Sequence, residues 1–317
     1  MHKNLFHITS LGSILVLILA ACTSPTQTLA TITLLPTPSK PSGRLLFSRF
    51  TEATHTFTGM FASLADGSNE SSIPLPGPEG GGRWSFSGKQ IAVMTVLSDG
   101  RIGTAIISPD GTVLRVLDIP DATLNVSCSI WARDDKRLAC EAWDDANPSR
   151  NGIYTVLASD GGDLQRLTTP PAGMHDLPGD YSTDGQFVFK RHAGDEGPGP
   201  LMLVKASGGE PQMLYDGPME DSGRFSPDGL SVLTSSNGRL LVINLDGSVL
   251  HEISIDAKYY LFGPVWSPDG SRIAFSMDMV RGPFADIFTS LPDGSDLQQV
   301  TNTAGNEIGV DWSVDGR

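Results

Sequence analysis

Positive charge is scarce in this sequence. Lysine and arginine number 22 against 36 aspartates and glutamates, for a formal net charge of −14. No basic patch with interleaved aromatics occurs. A surface of this sign repels a phosphate backbone and anionic lipid head groups, so nucleic acid is set aside as a partner. Cysteine is scarcer still, with three residues, at positions 22, 128 and 140. Two thiols after Cys22 are too few for a thiolate metal centre. The six histidines form no H-E-x-x-H pair. There is no G-x-S-x-G elbow, the signature of an α/β-hydrolase nucleophile. Long apolar runs are missing too. The one notable run, Ile14–Ala21, falls short of the roughly 20 residues that a spanning helix needs.

Turn residues are abundant. Residues 262–301, FGPVWSPDGSRIAFSMDMVRGPFADIFTSLPDGSDLQQVT, hold four short apolar segments. Pro268-Asp269-Gly270 and Pro292-Asp293-Gly294 separate them pairwise. Glycine in such turns permits positive φ, and aspartate bonds its own downstream backbone. The pattern predicts an antiparallel four-stranded meander. It recurs. Aromatic anchors fall at Trp84, Trp131, Tyr181, Phe225, Trp266 and Trp312, spaced 41 to 50 residues apart. A tight turn follows each anchor, and a second turn follows in each complete unit, at Asp110-Gly111, Asp160-Gly161, Gly208-Gly209, Asp246-Gly247 and Asp293-Gly294. A period of about 40–50 residues with four strands per unit reads as a propeller blade.

The two ends of the repeat array are complementary. Residues 311–317 supply an innermost strand and its turn. The missing strands stand at the other end. Arg44–Ser48 matches Arg272–Ser276, Gly59–Leu64 matches the third strand, and Ser71–Leu75 the outer one. The expectation is an all-β, six-bladed β-propeller over residues 43–317. Its last blade is closed by three N-terminal strands plus one C-terminal strand, which leaves no gap in the ring.

The pattern W-S-P-D-G-x-x-I-A-F, then D-I-F, D-G and V-T, resembles the TolB-type β-propeller repeat, a relative of the WD-type repeat. Residues 266–275 match almost fully, and residues 225–229 keep S-P-D-G after Phe225. The copies at 84–93 and 131–140 depart most, with Phe86 for Pro, Ser87 for Asp and Asp135 for Gly. The resemblance implies the fold. The family spans periplasmic assembly proteins, propellers fused to peptidases and many lipoproteins, so it implies no single activity.

Residues 1–22 have the form of a lipoprotein signal peptide. Lys3 precedes the apolar run, and Leu19-Ala20-Ala21-Cys22 looks like a lipobox. Cleavage would leave Cys22 as a lipidated N-terminus, anchoring the chain to a membrane without a span. Residues 23–42, rich in Thr, Pro and Ser, read as a tether. The expected location is the bacterial cell envelope, with the ring outside the cytoplasm. There a disulfide is permitted. Cys128 and Cys140 flank one hairpin turn at equal distance from Asp134. A disulfide and two buried thiols are both open at this point.

Strand direction puts the Asp-Gly turns on one face of the ring. The loops between second and third strands lie on the other, with the blade-to-blade connections. Loops on a rigid scaffold commonly carry binding. On that second face, Trp143, Asp144, Asp145, His192, Met279 and Phe284 are candidate partner contacts, with Tyr259 and Tyr260 near the channel mouth. The flexible loop 191–200 adds Asp195 and Glu196. The resulting expectation is a lipid-anchored binding or scaffold propeller that engages a protein or peptide of the envelope. It has no cofactor, no catalytic residues and no metal. A glycan or a divalent cation is a further ligand class that the acidic surface admits. The alternative is a propeller hydrolase or lyase with a metal at the channel mouth. It requires His55, His175 and His192 to converge.

Overall fold

Alternate side chains of a strand point to opposite faces of its sheet. In this chain both faces are buried. Leu45 and Phe47 pack with Val265, Ala274 and Ile287. Leu46, between them, packs with Trp84, Ile91 and Val93 on the other side. Each sheet is thereby sandwiched between two others, which is why its strands read as nearly continuous apolar runs. A computed structural model describes residues 41–51, 55–77, 80–194, 197–279 and 284–313, apart from the Met279 side chain.

These residues form six four-stranded antiparallel sheets. Blade 1 comprises Gly82–Trp84, Ile91–Val96, Ile102–Ile107 and Val113–Val116. Blade 2 comprises Asn125–Trp131, Arg137–Trp143, Gly152–Leu157 and Gln165–Arg166. Blade 3 comprises Met174–Tyr181, Gln186–Ala193, Gly199–Lys205 and Gln212–Met219. Blade 4 comprises Arg224–Phe225, Ser231–Ser236, Arg239–Asn244 and Val249–Ile253. Blade 5 comprises Tyr259–Trp266, Ile273–Met279, Ala285–Ser290 and Gln298–Gln299. Blade 6 opens with Gly305–Trp312 and continues with Arg44–Thr51, Phe57–Leu64 and Ser71–Ile73.

Blade 6 is the closure read from the repeats. Leu45 pairs with Trp312 and Leu46 with Asp311. The seam is reinforced where Ser313 N donates to the Arg44 carbonyl (2.9 Å) and Arg44 N donates to Ser313 Oγ (3.2 Å). Among the described residues the apolar core divides into six clusters, each shared by two adjacent blades. Every aromatic anchor packs against the preceding blade. Trp312, for example, meets the Val265 and Ile287 side of blade 5. A ring built by neighbour contacts of this kind escapes the size limit of a single core.

The turns follow their chemistry. Asp269 Oδ1 accepts from Ser267 Oγ (2.7 Å) and Ser271 N (3.0 Å), and Gly270 takes φ +71°. Hydrogen bonds of this kind hold the Asp228 and Asp184 carboxyls below their ordinary range. The two divergent turns complement each other. Ser87 leaves blade 1 without the turn aspartate, and Asp135 takes the left-handed glycine position of blade 2, at φ +58°. The Asp135 carboxylate then accepts from Phe86 N (2.6 Å) and Ser87 N (3.0 Å) of blade 1. The turn lacking its own acceptor borrows one from the next blade.

In blade 2, Cys128 and Cys140 are direct cross-strand partners joined by a disulfide. No helix among the described residues is long and apolar enough to cross a membrane. Cys22 and residues 1–40, which carry the proposed signal and most of the tether, lie outside the described residues, as do Asp195 and Glu196.

Candidate functional site

The first strands of all six blades line the ring axis. Their inward course is set by irregularities. Register shifts fall at Ser129 in blade 2, at Gly179 in blade 3, at Gly263-Pro264 in blade 5 and, in blade 6, where Leu46 and Ser48 face Asp311 and Ile308. A bulge adds a residue, bends its strand and re-aims the side chains beyond it. The glycines fit these positions. Gly263 and Gly309 have φ of +61° and +68°. A Cβ on Gly179 would lie 2.2 Å from the Ser222 carbonyl oxygen.

In all six first strands, the four bulged ones and the regular ones of blades 1 and 4, the residue immediately before the aromatic anchor borders the channel. Around the ring these are Asp311, Arg83, Ile130, Asp180, Arg224 and Val265, from blades 6, 1, 2, 3, 4 and 5. The order acid, arginine, aliphatic occurs twice. All six line a cavity of about 180 Å3 on the Asp-Gly side of the channel. Arg83, Ile130 and Arg224 also border a second cavity of about 350 Å3, which continues towards the other mouth past Gly179, Asp221, Phe262 and Ile308.

The hydrogen bonds repeat with the same half-ring period. Asp311 Oδ2 accepts from Trp84 N of the next blade (2.7 Å), and Asp180 Oδ2 accepts from Phe225 N of the next blade (3.1 Å). Arg83 Nη1 donates to the Val310 carbonyl (3.1 Å) and Arg224 Nη1 to the Gly179 carbonyl (2.9 Å). Arg133 breaks the symmetry. It donates to the Tyr181 carbonyl (2.7 Å) and to Asp180 (3.3 Å), and its counterpart in blade 5 is Pro268. Burial and the Arg224 charge pull the Arg83 guanidinium down to about 10, against Asp311. Burial pushes the Asp180 carboxyl up, against Arg133 and Arg224.

At the other mouth the first strand of blade 5 presents aromatic residues. Phe262 lines the larger cavity, and its ring centroid lies 6.4 Å from that of Tyr260. The Tyr260 hydroxyl donates to Glu220, and burial together with that bond pushes the phenol up to about 12. Asp221 accepts from Gly263 N (2.9 Å) and from the Ser235 hydroxyl. Tyr259 leans against the apolar cluster between blades 4 and 5, with Lys258 Nζ 5.0 Å from its ring centroid.

The other sequence candidates separate into exposed and buried groups. Trp143 and Phe284 are half-buried and Asp145 is exposed. Met279 ends a strand, and its side chain is outside the description. Asp144 is 5% exposed and accepts from Ala146 N, Asn147 N and Arg150, which knits its own loop. His192 is 1% exposed, pairs across the strands with His175, and stacks on that ring at 5.6 Å. Neither ring nitrogen of His192 has a hydrogen-bond partner, and burial, then the nearby Lys190 charge, lowers its proton affinity. The three-histidine convergence fails. His55 belongs to a blade 6 loop, while His175 and His192 belong to blade 3. Among the described residues no three His, Cys, Asp or Glu are grouped to hold an ion.

The axial ring of acids and arginines was missed in the sequence. Its signal was present as the residue before each anchor, charged in four of six copies in a strand that otherwise reads as core.

The class that this architecture defines is the six-bladed β-propeller, and its fold is similar to that of TolB proteins. TolB from Acinetobacter baumannii superposes with a TM-score of 0.62 at 18% identity, over 86% of this chain and 67% of that one. A TolB candidate from Agrobacterium tumefaciens gives 0.59 at 19% identity, over 84% and 92%. Among curated proteins, Dipeptidyl-peptidase 5 of Porphyromonas endodontalis is 30% identical over 117 residues. That match spans 34% of this chain and only 16% of the relative's length. No family model matches the chain.

Proposed function

We propose that this protein is a lipid-anchored binding propeller of the bacterial cell envelope, and that it holds an extended segment of a protein partner at the channel mouth. One observation carries the reading. Tyr260 and Phe262, half-buried on a single strand, sit beside a cavity of about 350 Å3 whose acids are already tied to backbone and hydroxyl donors. Amphipathic rings around a small concavity suit recognition of side chains from an extended chain, and aromatic anchors dominate such contacts. The cavity is far too small for a folded domain. The TolB likeness in fold is consistent with this reading. The lipobox pattern ending at Cys22 supports anchoring, and the Thr/Pro-rich residues 23–42 supply a tether.

The test is recovery of partners from detergent-solubilised envelopes with the tagged full chain and with a Tyr260→Ala/Phe262→Ala variant. A protein retained by the parent and lost by the folded variant supports the reading. Equal retention by both removes the mouth as the contact. Separately, Cys22→Ala is expected to move the chain from the membrane to the soluble fraction. Unchanged membrane association would refute the anchor.

A further inference from the structure

The waist of the channel differs chemically from its mouth. Both channel acids have their oxygens engaged. Asp311 holds Trp84 N and Arg83, and Asp180 holds Tyr181 N, Phe225 N and Arg133. The arginines are only partly engaged. Arg224 donates through Nη1 alone to Gly179, and Arg83 through Nη1 alone to Val310 and Asp311. Neither side chain has a polar atom that is both sealed from solvent and without a partner, so the nitrogens other than Nη1 are open to the channel, and both residues border the two cavities. Each therefore turns spare guanidinium N–H groups into the channel from a backbone-fixed position. The same bond pattern occurs at both sites, half a ring apart.

We propose that Arg83 and Arg224 together form a binding site for a monocarboxylate that carries a short apolar group. Charge sets the valence. Around the smaller cavity Arg83, Arg133 and Arg224 stand against Asp180 and Asp311, an excess of one positive charge that one carboxylate neutralises and a phosphate dianion overshoots. Glu220 and Asp221 border the larger cavity and are tied to Tyr260, Gly263 N and Ser235, so the carboxylate is placed on the Asp-Gly side of the two arginines. Geometry sets the headgroup, since a planar guanidinium fork matches a carboxylate and is more weakly hydrated than an ammonium. The neighbours set the tail. Ile130 and Val265 occupy the third position of each half-ring; both are packed in interblade clusters at 4% exposure, and their remaining aliphatic edge borders the same cavity. The mutual repulsion of two facing guanidiniums in a buried channel is relieved when an anion sits between them. The carboxylate belongs either to a free small acid or to the apolar C-terminus of a peptide. This inference needs neither the lipid anchor nor the partner contact at the mouth.

The experiment is calorimetric titration of the purified full chain with butyrate, with neutral butyramide, and with an alanine-rich peptide as the free acid and as the C-terminal amide. Binding of at least one carboxylate probe and of neither amide is expected. Arg224→Gln should weaken that binding at least about tenfold, and Arg224→Lys should restore only part of it. Arg224 is the variant of choice because Arg83 also bonds Asp311, whose carboxylate holds Trp84 N. Met213→Ala, on the exposed outer strand of blade 3 and away from both cavities, should leave the affinity unchanged. Butyrate binding points to a free acid, and binding of the peptide acid alone points to a chain terminus. The proposal is overturned if neither carboxylate binds, if the amides bind as well, or if Arg224→Gln binds like the parent.

Discussion

The Trp312 indole N–H donates to the Ser42 carbonyl oxygen at 2.8 Å, across a sequence separation of 270 residues. That bond lies beside the pairing of Trp312 with Leu45, where the two ends of the array become one sheet. Closure covers the apolar sheet faces that an open ring would expose on blades 5 and 1. Trp312→Ala should therefore cost about 3–5 kcal/mol, a large aromatic lost from a blade interface together with its bond. Urea unfolding would measure it. A midpoint equal to that of the parent protein would mean that the seam does not contribute to stability.

Gly179 owes its identity to close approach. The carbonyl oxygens of Ser222 and Val188 would stand 2.2 and 2.7 Å from a Cβ at this position. Backbone on both sides cannot yield as a flexible side chain would. Gly179→Ala should destabilise the protein by about 1–3 kcal/mol and disturb the bulge that aims Asp180 at the axis. Thermal melting checks the first effect. Loss of carboxylate binding in the folded fraction checks the second.

His192 makes stability pH-dependent. Its folded-state proton affinity is lowered, so the unfolded imidazole, which titrates near 6.5, takes up a proton first. The unfolded state gains the additional proton and stability falls as pH drops below about 6.5, the loss being complete below the folded-state value. Comparing urea midpoints at about pH 7.5 and pH 5.5 should show a decline in the parent protein that His192→Leu reduces. Identical slopes in the two proteins would show that His192 is not responsible.

The Cys128–Cys140 disulfide closes a short loop, with a sequence separation of 12. Loops of that size restrict the unfolded chain by roughly 2–3 kcal/mol. A Cys128→Ala/Cys140→Ala variant should lose about that much, and reduction of the parent protein should approach the same value. If the reduced and oxidised proteins unfold at one urea concentration, the bridge makes no net contribution.

Much of the fold was legible because its determinants are local. Each Asp-Gly turn forms from the hydrogen bonds of its own aspartate, as Asp269 does with Ser267 and Ser271. The anchors recur because every blade meets its predecessor in the same way. The functional surface was far less legible. Asp144 and His192 read as loop contacts because polar residues beside turns are usually solvated. Asp144 is instead held by backbone donors and Arg150, and His192 is enclosed against the rest of blade 3. The axial pattern of Asp311, Arg83 and Ile130, repeated by Asp180, Arg224 and Val265, went unread because its members stand far apart in the chain.

The sequence by itself determined the blade count, the order of strands and the pairing of residues near 45 with those near 312. Turn chemistry and short apolar segments act over a few neighbours and need no partner to be recognised. Only the tertiary structure decided which side chains reach the axis. That choice depends on single-residue bulges at positions such as Ser129 and Gly179, and on where six separate strands converge. A shift of one residue exchanges the inner and outer faces of a strand. The charge of the channel therefore emerges from assembly of the ring, and no single blade contains it.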